Sequence, residues 1–175
     1  MELTGLVEAR LLSVDDIVEV ANRRSKLHVN HATRRELGAD HDLVGLLGQW
    51  EFAKQFCLEV DLSDKPAGDG RINFITDIGT INVATYRKPY NLLREVGKEC
   101  AAYHVLGRFK ADGSYGTYSY GVKLLGWTSD KEMLQCPIRD FGYGVSSYYM
   151  QVRDLRPMIK LRHILLGEAI QMGLL

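Results

Sequence analysis

The chain has 175 residues, 46% of them hydrophobic, and its 22 basic and 22 acidic side chains give no net charge. This length and apolar content predict a single domain spanning residues 1–175, and zero net charge excludes nucleic-acid binding through an overall positive field. The three cysteines lack the spacing of a disulfide framework or zinc site, and no stretch resembles a signal peptide or membrane span, so we expect a soluble, cytoplasmic protein.

Apolar residues at helical spacing predict two helices in the first third of the chain. The first covers residues 13–28 and begins at Ser13, a good N-cap; the second covers residues 42–58 and begins at Asp42. The polar stretch between them, 28–41, predicts a loop. From residue 59 the period changes to two, which predicts strands at 59–62, 71–76 and 80–86, the last two joined by a tight turn at 77–79.

The second half of the chain continues the strand pattern. Strands are predicted at 101–109, 119–127 and 147–152, with an exposed loop at 110–116 and a turn-rich segment at 139–144. Ser129 and Glu132 have the spacing of a capping box, which predicts a short helix that ends before Pro137. A last helix is predicted at 154–166, closed by Gly167. The order of elements indicates a mixed α/β domain with one central sheet.

The segment 68–88 reads GDGRINFITDIGTINVATYRK. Side chains two apart on a strand share a face, so Asn82 and Ala84 flank one site, and we expect Asn73 to face it across the ladder. Two paired strands of this kind can hold the side chains that metal-dependent phosphodiester hydrolysis needs. In that reaction carboxylates hold a hard cation and a lysine orients the attacking water. An ordinary half-buried hairpin is the alternative interpretation of the same pattern.

This segment resembles the hairpin of the PD-(D/E)XK nuclease superfamily, in particular its restriction-endonuclease-like members from phages and bacteria. There the hairpin reads approximately Gly-Asp-Gly-Gly-Ile-Asp-Phe, a turn, then Ile-Asp-Val-Lys-Thr and basic residues. The likeness continues at 45–49, 124–127, 140–144 and 154–157, and it is strongest over residues 42–166. The resemblance implies a single restriction-endonuclease-like α/β domain, in which a central mixed β-sheet is flanked by helices.

The departures from the family pattern fall on its site. The resemblance implies metal-binding carboxylates where this chain has Gln49, Asn73 and Asn82, and a catalytic lysine where it has Ala84. An amide keeps the shape of the acid but carries no charge, so it is a poor ligand for Mg²⁺. We therefore expect an inactive chain without a cofactor, whose intact-site parent would be a Mg²⁺-dependent deoxyribonuclease. Asp69 is the best surviving acidic candidate for a displaced metal.

The leading hypothesis is thus a PD-(D/E)XK-type endonuclease fold, built for metal-dependent hydrolysis of DNA, whose active site is disabled. An enzyme silenced by design and a natural pseudo-nuclease are both open as origins. The alternative function is a non-catalytic module that binds nucleic acid or a protein, including one of phage origin acting in the host cell. Many relatives act as dimers, so a homodimer is open as well, although nothing in the sequence identifies an interface.

Three cations, Arg71, Arg87 and Lys88, surround the hairpin and are suited to contacts with DNA phosphates. A solvated charged face is the alternative interpretation. Further cations on and after the first predicted helix, at residues 23, 24, 26, 34 and 35, are open to the same two interpretations.

Overall fold

A computed structural model describes residues 5–27, 41–65, 71–112, 119–142 and 144–171. Its elements in chain order are β1 (Leu6–Glu8), α1 (Val14–Leu27), α2 (His41–Phe56), β2 (Glu59–Asp61), β3 (Phe74–Thr76), β4 (Gly79–Tyr86), β5 (Asn91–Glu95), β6 (Tyr103–Asp112), β7 (Ser119–Ser129), α3 (Asp130–Met133), β8 (Ile138–Asp140), β9 (Ser146–Gln151) and α4 (Met158–Gln171). The predicted mixed α/β class is confirmed.

A four-stranded mixed sheet, in the order β3-β4-β6-β7, is the centre of the fold. Strands β3 and β4 form the predicted hairpin, with Asp77 and Ile78 as its loop and Gly79 at a φ of 126°, a conformation that favours glycine. Strand β4 then pairs in parallel with β6, and β6 pairs antiparallel with β7.

One face of this central sheet packs against α2. Ile81, Val83 and Thr85 alternate along β4 and are all buried on this side. Phe52 of α2 is fully buried and lies between the rings of Phe56 and Phe74, with centroid distances of 4.4 and 5.1 Å. Burying a side chain of this size stabilises the fold by about 1.5–3 kcal/mol.

The helix α2 approaches the sheet most closely at Gly48. A Cβ atom at this position would lie 1.8 Å from Thr85 Oγ1, and one at Gly107 on β6 would lie 2.8 Å from the same oxygen. Both positions therefore need glycine for steric reasons. The Thr85 hydroxyl is buried in this contact and has no hydrogen-bond partner within the described residues.

The opposite face of the central sheet is covered by a second sheet, in the order β5-β9-β8. Leu92 of β5, Leu106 of β6 and Met133 of α3 are fully buried between the two sheets. Ala84 and Tyr86 of β4 pack against these three residues. The even-numbered residues of β4 thus face the second sheet, while its odd-numbered residues face α2.

The structure corrects several predicted boundaries. The strand predicted at 71–76 begins only at Phe74, and the last helix begins after Pro157 because Arg156 pairs with Trp127 of β7 through two backbone hydrogen bonds. That helix continues past Gly167 to Gln171. The turn-rich segment at 139–144 includes part of β8, and the predictions missed β1 and β5. The predicted loop at 28–41 lies almost wholly outside the described residues.

Candidate functional site

Asn73 lies at the point where the β3–β4 ladder ends. Its backbone N–H donates to the carbonyl of Ile81 at 2.9 Å, and its side-chain Oδ1 accepts from the N–H of Val83 at 2.6 Å. The carboxamide oxygen therefore takes the place of a backbone carbonyl and extends the ladder by one hydrogen bond. An aspartate could accept the same bond, so this contact explains the position of the side chain and not the choice of the amide.

Asn82 and Ala84 point to the face of β4 that meets the second sheet, since they alternate with the buried Ile81 and Val83. Gln49 is a buried residue of α2, which packs on the other face of the sheet. The hairpin thus brings Asn73 beside residues 81–83, whereas Gln49 lies on α2, on the opposite side of β4.

A row of polar residues crosses the central sheet at Asn82. The ladder places Asn82 opposite His104 of β6, and His104 opposite Thr128 of β7, so the three side chains share one face. His104 and Thr128 are each only 1% exposed. The row carries a charge only when His104 is protonated. The charged side chains near the row belong to β5 and α3.

His104 also belongs to a polar cluster with Arg94 of β5 and Asp130 of α3, which we call the inter-sheet cluster. The guanidinium of Arg94 donates to both carboxylate oxygens of Asp130, with Nη2 to Oδ2 at 3.1 Å. His104 Nε2 lies 2.8 Å from Asp130 Oδ1. Asp130 therefore joins the second sheet to the central sheet through a charged hydrogen-bond network.

The pKa values of the inter-sheet cluster follow from burial and hydrogen bonding. Burial raises the pKa of Asp130, but hydrogen bonds from Arg94 and His104 lower it more, so its pKa lies below the usual value. Burial lowers the pKa of His104 below its ordinary value, against the opposing effect of Asp130. Asp130 is thus ionised and His104 neutral at pH 7. His104 Nδ1 has no hydrogen-bond partner within the described part of the chain.

Arg71 lies at the edge of the inter-sheet cluster. It has a positive φ of 63°, pairs with Glu95 of β5, and acts electrostatically on His104. Its charge is therefore shared with a carboxylate of the second sheet. Of the three cations predicted to contact DNA, Arg71 is the least exposed to solvent.

The other two predicted cations, Arg87 and Lys88, are exposed and follow the end of β4. The guanidinium of Arg87 lies 4.7 Å from the centre of the Phe109 ring, on the α2 side of the sheet. Arg71 pairs with Glu95 of the second sheet and Arg87 packs on Phe109 on the α2 side, so the two guanidinium groups lie on different sides of the central sheet.

The cations of α1 have a structural role. Arg24 is 6% exposed and donates to the carbonyls of Asp61 and Ser63, and Arg23 donates to the carbonyl of Leu62 and pairs with Asp64. These bonds fix the segment after β2 against α1. The suggestion that Arg23 and Arg24 extend a phosphate-binding patch is therefore not supported for Arg24, which is buried.

The residues at the site do not fit Mg²⁺. Asn73 and Asn82 offer amide oxygens, and the carboxylates of Glu95 and Asp130 each form an ion pair with an arginine. Magnesium requires hard anionic oxygens in octahedral geometry. Among the described residues no group of three or more His, Cys, Asp or Glu side chains could hold a metal ion. Asp69, the predicted candidate for a displaced metal, lies outside them.

No motif or period in the sequence indicated Arg94, His104 or Asp130 as site residues. Asp130 was included only in the capping box, which the structure confirms between Ser129 and Glu132. Strand β5 reads NLLRE, so its buried side, Leu92 and Arg94, does not stand out as an apolar alternation in the sequence. The partner of Arg94, Asp130, lies 36 residues away in the chain, so no local pattern shows the pair.

No family model matches the chain, and it has no match among curated proteins or solved structures. The resemblance to nucleases therefore stays a prediction, which is based on short sequence segments that occur in the same order along the chain as in that superfamily. Within the described residues no helix is long and apolar enough to cross a membrane.

Proposed function

We propose that this chain is a nuclease-like domain that binds DNA and does not cleave it by metal-dependent hydrolysis. The observation that carries the proposal is the chemistry at the hairpin. Asn73 and Asn82 lie where the resemblance implies carboxylates, and Asn82 lies opposite His104 of the inter-sheet cluster. The carboxylate of that cluster, Asp130, already accepts hydrogen bonds from Arg94 through both of its oxygens, and the two amides supply no charge to hold Mg²⁺.

Ala84 supports the same proposal. It packs against Leu92, Leu106 and Met133 between the two sheets, where a lysine ammonium would have an apolar environment. A lysine that orients water must lie beside a solvated, charged site. The residues around Ala84 therefore suit packing of the second sheet and not general acid–base or electrostatic catalysis.

The proposal is tested by two measurements on the full chain. The first is cleavage of supercoiled plasmid with Mg²⁺ or Mn²⁺, beside a variant carrying Gln49→Glu, Asn73→Asp, Asn82→Asp and Ala84→Lys. The second is binding of a short DNA duplex over a series of salt concentrations. We expect no cleavage by the unsubstituted chain, and an affinity that falls steeply with salt because phosphate contacts release counterions.

The outcomes separate the two halves of the proposal. Metal-dependent cleavage by the unsubstituted chain would show that other carboxylates hold a metal and would refute the disabled site. Cleavage by the substituted variant alone would support the alignment of positions 49, 73, 82 and 84 with the nuclease site. Absence of DNA binding at low salt would refute DNA as the partner and favour a protein-binding module.

A further inference from the structure

Three cations lie close together at one end of the central sheet, and a fourth, Lys88, follows the end of the neighbouring strand β4. Arg108 of β6 and Lys123 of β7 are direct ladder partners, so their side chains leave the same face of the sheet side by side. Lys110 follows Arg108 by two residues and therefore shares that face. Lys88 follows Tyr86, the ladder partner of Arg108 on β4, by two residues. We call these four residues the basic patch.

The basic patch is accessible to a ligand. Lys88, Lys110 and Lys123 are exposed, and Arg108 is half-buried. The patch lies on the face of the sheet opposite α2, beyond the part of that face where Ala84, Tyr86 and Leu106 pack under the second sheet. With strands about 4.8 Å apart and a rise of about 3.4 Å per residue, it spans roughly 10 Å across the strands and 7 Å along them.

The ion pairs among the described residues do not include the basic patch. Like charges placed directly opposite on a ladder are destabilising. The chain as a whole has no net charge, so the patch is a local concentration of cations and not a consequence of general basicity.

We propose that the basic patch is the surface through which this domain contacts the phosphate backbone of DNA; this inference rests on the proposed function. A group of neighbouring cations that form no ion pair within the described part of the chain matches an anion with regularly repeated charges. Phosphate contacts would relieve the repulsion between Arg108 and Lys123. Of the cations predicted from the hairpin, only Lys88 belongs to this surface.

The test is a patch variant of the full chain with Lys88→Gln, Arg108→Gln, Lys110→Gln and Lys123→Gln. A matched control carries Lys131→Gln, Arg153→Gln, Lys160→Gln and Arg162→Gln, which removes four exposed cations elsewhere and changes the net charge equally. The probes are a short DNA duplex of arbitrary sequence and one of its separated strands. Circular dichroism and a thermal melt check that each variant is folded, and the single change Lys123→Gln provides a milder perturbation.

We expect the patch variant to bind the duplex at least about tenfold more weakly than the unsubstituted chain at low salt. The slope of log affinity against log salt should flatten by about one for each cation removed, and Lys123→Gln alone should flatten it by about one. The control should keep both the affinity and the slope. Comparing the affinities for the duplex and the single strand shows whether the basic patch recognises phosphate charge alone or the geometry of the duplex as well.

Two results would overturn the inference while leaving DNA binding in place. In one, the patch variant binds DNA as tightly as the unsubstituted chain. In the other, the patch variant and the control lose affinity equally, which would indicate a general electrostatic effect. If the unsubstituted chain binds neither probe at low salt, the proposed function itself fails and the inference fails with it.

Discussion

Replacing Asp130 by asparagine should destabilise the fold more than any exposed substitution. Asp130 accepts two hydrogen bonds from Arg94 and one from His104. Asparagine has nearly the same shape, but its NH₂ group would face a donor, and the guanidinium of Arg94 would be left between the sheets without a counter-charge. Arg94 is only 9% exposed, so water cannot replace the lost carboxylate fully.

Removing one partner of a buried ion pair costs about 3–5 kcal/mol. Because the side chain of Asp130 is 22% exposed, we expect the lower end of that range, about 3 kcal/mol. The single change Arg94→Met should cost less, on the order of 1–2 kcal/mol, since the remaining carboxylate keeps His104 and partial contact with solvent. The double variant removes both charges, and its cost should be about 2 kcal/mol because no buried charge is left unpaired.

Urea denaturation of the four proteins at pH 7.5 gives the free energies of unfolding and hence the coupling between Arg94 and Asp130. The expected coupling is on the order of 2 kcal/mol. Additive single changes, or a cost below about 1 kcal/mol for Asp130→Asn, would mean that the inter-sheet cluster does not hold the two sheets together.

Three further predictions follow from particular contacts. The pKa of His104 is lower in the folded chain than its ordinary 6.5, so the unfolded chain takes up the proton first, and the free energy of unfolding should fall as the pH drops below about 7. His104→Gln should flatten this dependence in urea titrations. Gly48→Ala should cost about 1–3 kcal/mol through the clash with Thr85, and Thr85→Ala should restore part of it. Ala84→Lys should lower the free energy of unfolding by a comparable amount and so lower the thermal midpoint in a thermal melt. Lys88→Gln, at an exposed position, should leave the thermal midpoint unchanged.

The elements that the sequence predicted well are those set by local interactions. The capping box of Ser129 and Glu132, the hairpin turn before Gly79 and the bodies of α1 and α2 depend on residues close in the chain, so a short window contains the whole signal. Strand β5 was missed because it pairs with β9, more than fifty residues later, and because its inward face carries Arg94 where an apolar residue is expected.

The candidate site was predictable in part for the same reason. The period of two placed Asn82 and Ala84 on one face, and the hairpin brought Asn73 beside them. The face of the sheet on which Gln49 lies depends on how α2 packs, which no local pattern specifies. The basic patch arises from ladder register, so it appears only when β4, β6 and β7 are aligned. The inter-sheet cluster appears only when the second sheet packs on the central sheet and brings Arg94 to Asp130.

The contacts of Ala84 and Asn82 between the two sheets bear on the uncharged site. Ala84 is partly buried and packs against the apolar cluster of Leu92, Leu106 and Met133. Asn82 lies opposite His104, whose Nε2 is already hydrogen-bonded to Asp130. Neighbours contributed by β5, β6 and α3 thus match the amide and the alanine. Under the proposed function, these contacts suit a site without charge of its own, whether it arose as a natural pseudo-nuclease or through deliberate substitution.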